Sequence, residues 1–380
     1  MHNKFKIKQI ILSTLIIFSI TACDSDEDQV LPNNSITTPA TYEFSRNGMS
    51  SVSYSGQTER LNQITEMKNE FKKGDNGAAI TAATLLDMFA NVNDNGNGNF
   101  SFTSTKQLED KTFVPDVQFY KDLFASVESA SINGSNNITA TNGTAGLLLR
   151  TSGKTILVND SGFEFTQTFE KGMMGSLIMY QISNVYTTDE KIGNSIENTT
   201  LEEGKNYTTM EHHMDEAFGY YGAPVNFSDA YEGTESPLFW AAYSEELNDK
   251  TYSINTIMNT YKTARQAIVE KRYDHKKANI QVLNESLERL AAAAAVHYVN
   301  ASLNATIDGD RMHVLSELVG FTKALRFGHP SYRKLALTEV NQLIETNIGT
   351  NLWNVTPAGL NKLKTEISAR YNLNSIKDIL

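Results

Sequence analysis

The stretch Met210–Pro224, MEHHMDEAFGYYGAP, places two histidines among three carboxylates and three aromatic residues. Thr208 and Glu211 have capping-box spacing, so a helix is expected to start at Thr208. Gly222, with Pro224 two residues on, is expected to end it. On a helix of about three and a half turns, His212 and Glu216 stand at i,i+4. His213 and Glu216, and His212 and Asp215, stand at i,i+3. Two imidazoles and two carboxylates therefore share a narrow arc. Neutral imidazole nitrogen and carboxylate oxygen suit a divalent metal such as iron or zinc. The arrangement is not a zinc-protease helix, which needs histidines four apart; the adjacent His212 and His213 point about 100° apart. A second reading stands beside the metal one: one histidine satisfied in the core, and the carboxylates paired with nearby Lys or Arg.

Further ligands are available on other helical stretches. His297 sits in AVHYVN, and His313 lies at i,i+4 from Glu317 in HVLSE. Bundle metal sites gather ligands from several helices in this way. The candidate metal set is His212, His213, Asp215, Glu216, His297 and His313. For His297 alone, a core histidine bonded to a backbone carbonyl is the competing reading. His275, in RYDHKK, reads as solvated, and His329 as part of a loop. Glu170-Lys171 and Lys271-Arg272 either form buried pairs or face water, and water is the expectation for most of them. No catalytic residue is assigned: the chain shows no local signature of a Ser-His-Asp arrangement, no catalytic cysteine and no complete zincin motif. Residues 91–101, NVNDNGNGNFS, mimic the first half of a calcium loop. Phe102 stands where the bidentate Glu belongs, so the stretch reads as a polar loop.

The elements that must position these residues are mostly helical. Leu61, Ile64, Met67 and Phe71 recur at helical spacing up to Gly74. AAITAATLLDMFANV is a second helix. Asn47-Gly48 and Ser152-Gly153 mark hairpin turns. Residues 113–165 read as mixed, a minor β insertion on a helical body. Gly172 and Gly175, inside an apolar run, predict close helix-helix approach. Residues 253–304 are almost unbroken helical pattern, with RYDHKK as a possible break and five consecutive alanines favouring helix and tight packing. Gly328 and Pro330 close the next helix, and Pro357 opens a C-terminal one. The fold class is mainly α, packed helical bundles with a small β-hairpin element in the N-terminal half.

Composition fits a globular protein with a real core: 380 residues, 40% hydrophobic and 20% charged. A net charge of -11 excludes a general nucleic-acid binder, which needs a cationic face. Residues 1–22 have the form of a secretory signal, with Lys4, Lys6 and Lys8 before the apolar run IILSTLIIFSI. Cys23 is the single cysteine and follows small residues, so an anchor is a better reading than a disulfide. ITAC resembles the lipobox of bacterial lipoproteins, which implies cleavage before Cys23 and lipidation of its thiol. The acidic run DSDEDQ reads as solvated spacer and resembles the export signal that places some lipoproteins on the outer face of the outer membrane. Residues 23–41 form the lipidated cysteine and a flexible acidic tether, and 42–380 the folded domain. The expected location is the cell envelope, anchored to the outer membrane and surface-exposed, with the membrane as partner through the lipid.

His213-Met214-Asp215-Glu216 and the trailing AFGYYG resemble the imelysin-like proteins, although Glu211 stands where their motif has glycine. GQTERL, FTQTFEKGMMGSL, HHMDEAFGYYGAP, AIVEKRYD, HYVN and LSELVGF are similar to a family of lipoproteins catalogued as a domain of unknown function. That second resemblance runs from about Tyr42 to the end. Together they imply an imelysin-like, mainly α body of packed bundles, a link to iron or other metal uptake, and an outer-membrane uptake receptor as partner. The expected function is a surface-anchored binding protein in metal acquisition. The alternatives are a metallohydrolase or peptidase, with Glu216 or Asp215 as base on a metal-bound water, and a pure interaction module in which the His-rich stretch is a packed helix.

Overall fold

Trp240 and the five alanines Ala291–Ala295 are fully buried, and the helices that carry them are stacked around one apolar core. The computed structural model describes residues 35–380; the signal segment, Cys23 and residues 24–34 of the tether lie outside the described residues. Thirteen α-helices are present among the described residues, with two small two-stranded sheets in the N-terminal half. This is the mainly α class expected from the residue pattern. No helix of the described residues is long and apolar enough to cross a membrane.

The chain enters along a helix face. Lys262 Nζ donates to Ala40 O at 3.1 Å, and Thr38 and Thr263 share a hydroxyl contact at 2.7 Å. A hairpin follows, β1 (Ser45–Arg46) and β2 (Met49–Ser50), turned by Asn47-Gly48 with both residues at positive φ. Then come α1 (Ser55–Asp75), α2 (Ala82–Phe89) and α3 (Val114–Ser135). Residues 113–165 are mixed, as expected, with α3 in their first half and a hairpin turning at Ser152-Gly153 in their second. Tyr120, Leu123, Phe124, Val127 and Ala130 are buried at helical spacing, and Pro115 sits in the first turn, where its missing N–H costs nothing. The β part is the hairpin β3 (Gly146–Leu149) and β4 (Thr155–Val158), paired antiparallel with Leu147 opposite Leu157. The Asn-rich loop is held by its own amides: Asn91 Nδ2 donates to Ser104 O and Lys106 O, and Gly96 N donates to Asn91 Oδ1.

α4 (Phe165–Met173) continues into two π-helical stretches, Met174–Met179 and Gln181–Tyr186. Outside donors claim carbonyls of this segment. Trp240 Nε1 donates to Met174 O at 2.9 Å and Phe113 N to Ser176 O at 2.7 Å. Such insertions widen a helical ladder. A Cβ on Gly172 would stand 2.6 Å from Tyr120 Oη, and one on Gly175 3.0 Å from Ala324 Cα, so both glycines mark the expected close approach.

The remaining helices are α5 (Asp189–Ile192), α6 (Thr209–Tyr221), α7 (Trp240–Glu246), α8 (Asn248–Thr251), α9 (Ser253–Val269), α10 (Tyr273–Asn304), α11 (Asp308–Ala324), α12 (Leu337–Asn347) and α13 (Pro357–Arg370). The long helical pattern does break where RYDHKK begins: residues 270–272 separate α9 from α10, with Lys271 at a positive φ. α10 spans about 48 Å and packs against α9, α11 and α13; α11 in turn packs against α4. Thr356 caps α13 by accepting from Gly359 N.

Candidate functional site

α6 begins as the sequence predicts. Thr208 accepts from Glu211 N, Glu211 returns a bond to Thr208 N, and Gly222 ends the helix in the left-handed conformation. Its acidic residues face inward. Asp215 and Glu211 are fully buried, and Arg265 of α9, itself without exposed surface, bridges them. Arg265 Nε donates to Asp215 Oδ1 and Nη1 to Glu211 Oε1, both at 2.9 Å, while Nη2 reaches Ser51 O at 3.0 Å. Tyr42 Oη and Ser53 N supply further donors to Asp215, and Arg46 makes a second ion pair with Glu211. Burial pushes the Asp215 carboxyl up to about 6, with Arg265 pulling back. For Glu211 burial is outweighed by Arg265 and Arg46, which hold it below the usual carboxylate range.

The two histidines of α6 turn to different segments. His212 Nδ1 donates to Ser53 O at 3.0 Å, with its ring stacked on Tyr207. His213 Nδ1 donates to Lys191 O at 2.6 Å. Glu216 Oε1 accepts from Gln57 Nε2 and Tyr186 Oη. His297 is one-third exposed, with Nε2 at 3.8 Å from Glu246 Oε1. The six candidate ligands are thus dispersed. No group of three or more His, Cys, Asp or Glu side chains among the described residues is arranged to hold a metal ion. Both oxygens of Asp215 already accept hydrogen bonds, Oδ1 from Tyr42 and Arg265 and Oδ2 from Ser53 N, and a metal there would compete with these donors. His275 corrects its solvated reading: it is buried, with Nε2 at 2.7 Å from Arg272 Nη2.

The sixth candidate, His313, belongs to a different constellation. Its Nδ1 lies 2.6 Å from Glu164 Oε2, and its Nε2 lies 3.4 Å from Glu317 Oε2. Glu317 and Glu170 flank Lys171, whose Nζ is 3.5 Å and 3.0 Å from them. Lys68 completes the chain on Glu170. Glu170 and Lys171 therefore correct the expectation that they face water: both are buried, and each neutralises the other. The local cause is Gly320 of α11. A Cβ there would lie 2.3 Å from Lys171 Cβ, so α4 and α11 touch backbone to side chain at this level.

Burial pushes Glu164 up to about 8 against the pull of Arg150 and Lys171. Asp75, at the end of α1, is raised to about 7 by burial and then by Glu164. Glu317 is raised by burial, and His313 is lowered by burial against the pull of Glu317. Burial thus disfavours the charged form of both partners of the His313–Glu164 contact. These groups line or underlie a cavity of about 440 Å³ between α1, β4, α4 and α11, whose wall adds Lys68, Lys72, Arg150 and Lys154. Perturbed ionisable groups around one cavity occur at binding and proton-handling sites as well as in structural ion-pair networks. This cavity offers cationic groups to an anion and a buried hydrogen-bonded pair behind them.

Sequence reasoning found His313 and its spacing to Glu317. It noted Glu170-Lys171 as charges beside an apolar run, which was the available signal for this cluster. Asp75, within a KKGDNG turn, and Glu164, at the start of α4, carried no signal that separates them from ordinary surface carboxylates.

Residues 39–374 match the family described as Domain of unknown function (DUF4856), and the chain belongs to that family. No curated protein and no solved structure matches the chain.

Proposed function

We propose that this DUF4856 protein is an anchored binding protein of the cell envelope, serving metal acquisition, with iron as the first cargo to test. The anchor is the lipidated Cys23, which places the domain at the outer membrane with its surface exposed, next to an outer-membrane uptake receptor as partner. ITAC and the lone cysteine support the anchor. The imelysin-like resemblance of His213-Met214-Asp215-Glu216 and AFGYYG supports the link to iron uptake.

The observation that carries the binding reading is the cavity of Glu164, His313 and Lys171. Of the four further cations on its wall, Lys68 and Arg150 are paired with Glu170 and Asp310, while Lys72 and Lys154 have no carboxylate partner among the described residues and favour an anionic, metal-bearing ligand such as a carboxylate chelate over a bare ion. The Glu164–His313 contact puts a titratable pair in the lining of the cavity. A metallohydrolase on α6 has less support, since Asp215 is fully engaged by Arg265, Tyr42 and Ser53.

The test is calorimetric titration of the purified full chain in detergent with ferric citrate, with citrate and with iron salt alone. The reading expects ferric citrate to bind, and a Lys72→Ala/Lys154→Ala variant to bind it about tenfold more weakly at unchanged melting temperature. Uptake of bare iron that disappears in His213→Ala would move the site to α6. No uptake of either form would leave an interaction module. Mass spectrometry of the mature N-terminus checks the anchor: a species without diacylglycerol on Cys23 refutes it.

A further inference from the structure

A second cavity, of about 450 Å³, lies on the other side of the α4–α11 pair, between α3, α11 and α12. Its walls include the apolar side chains Phe119, Leu123, Phe163, Val319 and Ile344. Lys323 of α11 also lines it. The Lys323 ammonium stands 4.6 Å from the centre of the Phe119 ring and has no carboxylate or carbonyl hydrogen-bond partner among the described residues. Asp116, the nearby acid, is engaged by both terminal nitrogens of Arg326. Thr168 Oγ1, buried in the same wall, has no hydrogen-bond partner either.

Asp116 lines the same cavity and attracts the Lys323 ammonium, but it is shared with Arg326, so the ammonium in this apolar wall is only partly compensated by it and by the cation–π contact. Burial, followed by the repulsion of Arg326, accordingly lowers the Lys323 amine to about 8. An arriving carboxylate removes the deficit, and the apolar walls cover what it is attached to.

We infer that this cavity is a binding site for a small amphipathic carboxylic acid, its carboxylate paired with Lys323 and its apolar chain laid against Phe119, Leu123, Val319 and Ile344. This site does not rest on the metal-acquisition reading. It differs from the first cavity in chemistry, being mostly apolar with one partly compensated cation rather than a network of charges.

The probes are octanoate and its neutral counterpart 1-octanol, titrated into the full chain by calorimetry and followed by hydrogen exchange of α3 and α11. The site predicts octanoate binding about tenfold tighter than octanol, with protection confined to those helices. Lys323→Met removes the preference while retaining weak binding of both probes, and Leu123→Trp, which fills the cavity, abolishes both. Ferric citrate titrations are unchanged in either variant. Equal affinity for octanoate and octanol in the parent chain overturns the proposal, as does a preference that survives in Lys323→Met. No octanoate binding overturns it as well. The parent comparison decides even where a variant does not fold.

Discussion

Arg265 Nε and Asp215 Oδ1 stand 2.9 Å apart with neither side chain exposed, so α6 and α9 are joined by an ion pair wholly inside the protein. Removing one partner of such a pair strands the other charge in the core. Arg265→Ala is therefore expected to cost about 3–5 kcal/mol of stability. Asp215→Asn keeps one acceptor oxygen and leaves Arg265 on Glu211, so its loss should be smaller. Denaturant unfolding of the two variants checks the order; equal and small losses would mean that the pair does not hold the helices.

His213 is a stability residue in this arrangement before it is anything else. Its Nδ1–H ties α6 to the carbonyl of Lys191 at the end of α5. His213→Ala should cost about 1 kcal/mol and leave ferric citrate binding intact. A variant with parental melting temperature and altered iron binding would contradict both halves of this expectation.

Gly320 sets the separation of α4 and α11. In Gly320→Ala the new methyl meets Lys171 Cβ, and the helices must part or Lys171 must leave Glu170 and Glu317. A loss of about 1–3 kcal/mol is expected from such overpacking, together with weakened ligand binding at the first cavity. Thermal melting and titration on the same sample separate the two effects.

The raised carboxyls make a contribution to pH dependence of definite sign, opposed by the lowered imidazoles of His213, His313 and His329. An unfolded Glu releases its proton near pH ~4.3 and an unfolded Asp near ~3.9. In the folded chain Glu164 keeps its proton to about 8 and Asp75 to about 7. Across that window the folded state binds more protons than the unfolded one, so these two groups lower stability as pH rises. Relative to the parent, Glu164→Gln should gain melting temperature as pH rises from about 5 to 8. Parallel curves for parent and variant would count against a protonated Glu164.

The α6 stretch shows how far spacing alone reaches. Arc and spacing placed His212, His213, Asp215 and Glu216 on one helix, which is where they are. They did not say that Asp215 and Glu211 point at an arginine fifty positions away, or that the two imidazoles bond carbonyls of different segments. The alternative of carboxylates paired with Arg described two of these residues correctly. Residues 114–135 were harder to read, because the polar residues between the buried positions of α3 blur its period.

What the sequence determined by itself is local: the capping box of Thr208 and Glu211, the left-handed stop at Gly222, the Asn47-Gly48 turn, and Pro357 opening α13. Each follows from φ/ψ limits and hydrogen bonds that close within a few residues. The two cavities and the charges around them were decided only by tertiary structure. Glu164 meets His313 across 149 positions, and Lys171 meets Glu317 only because Gly320 lets two helices touch. Which faces pack together is set by the shape of the whole core, and no local spacing encodes it.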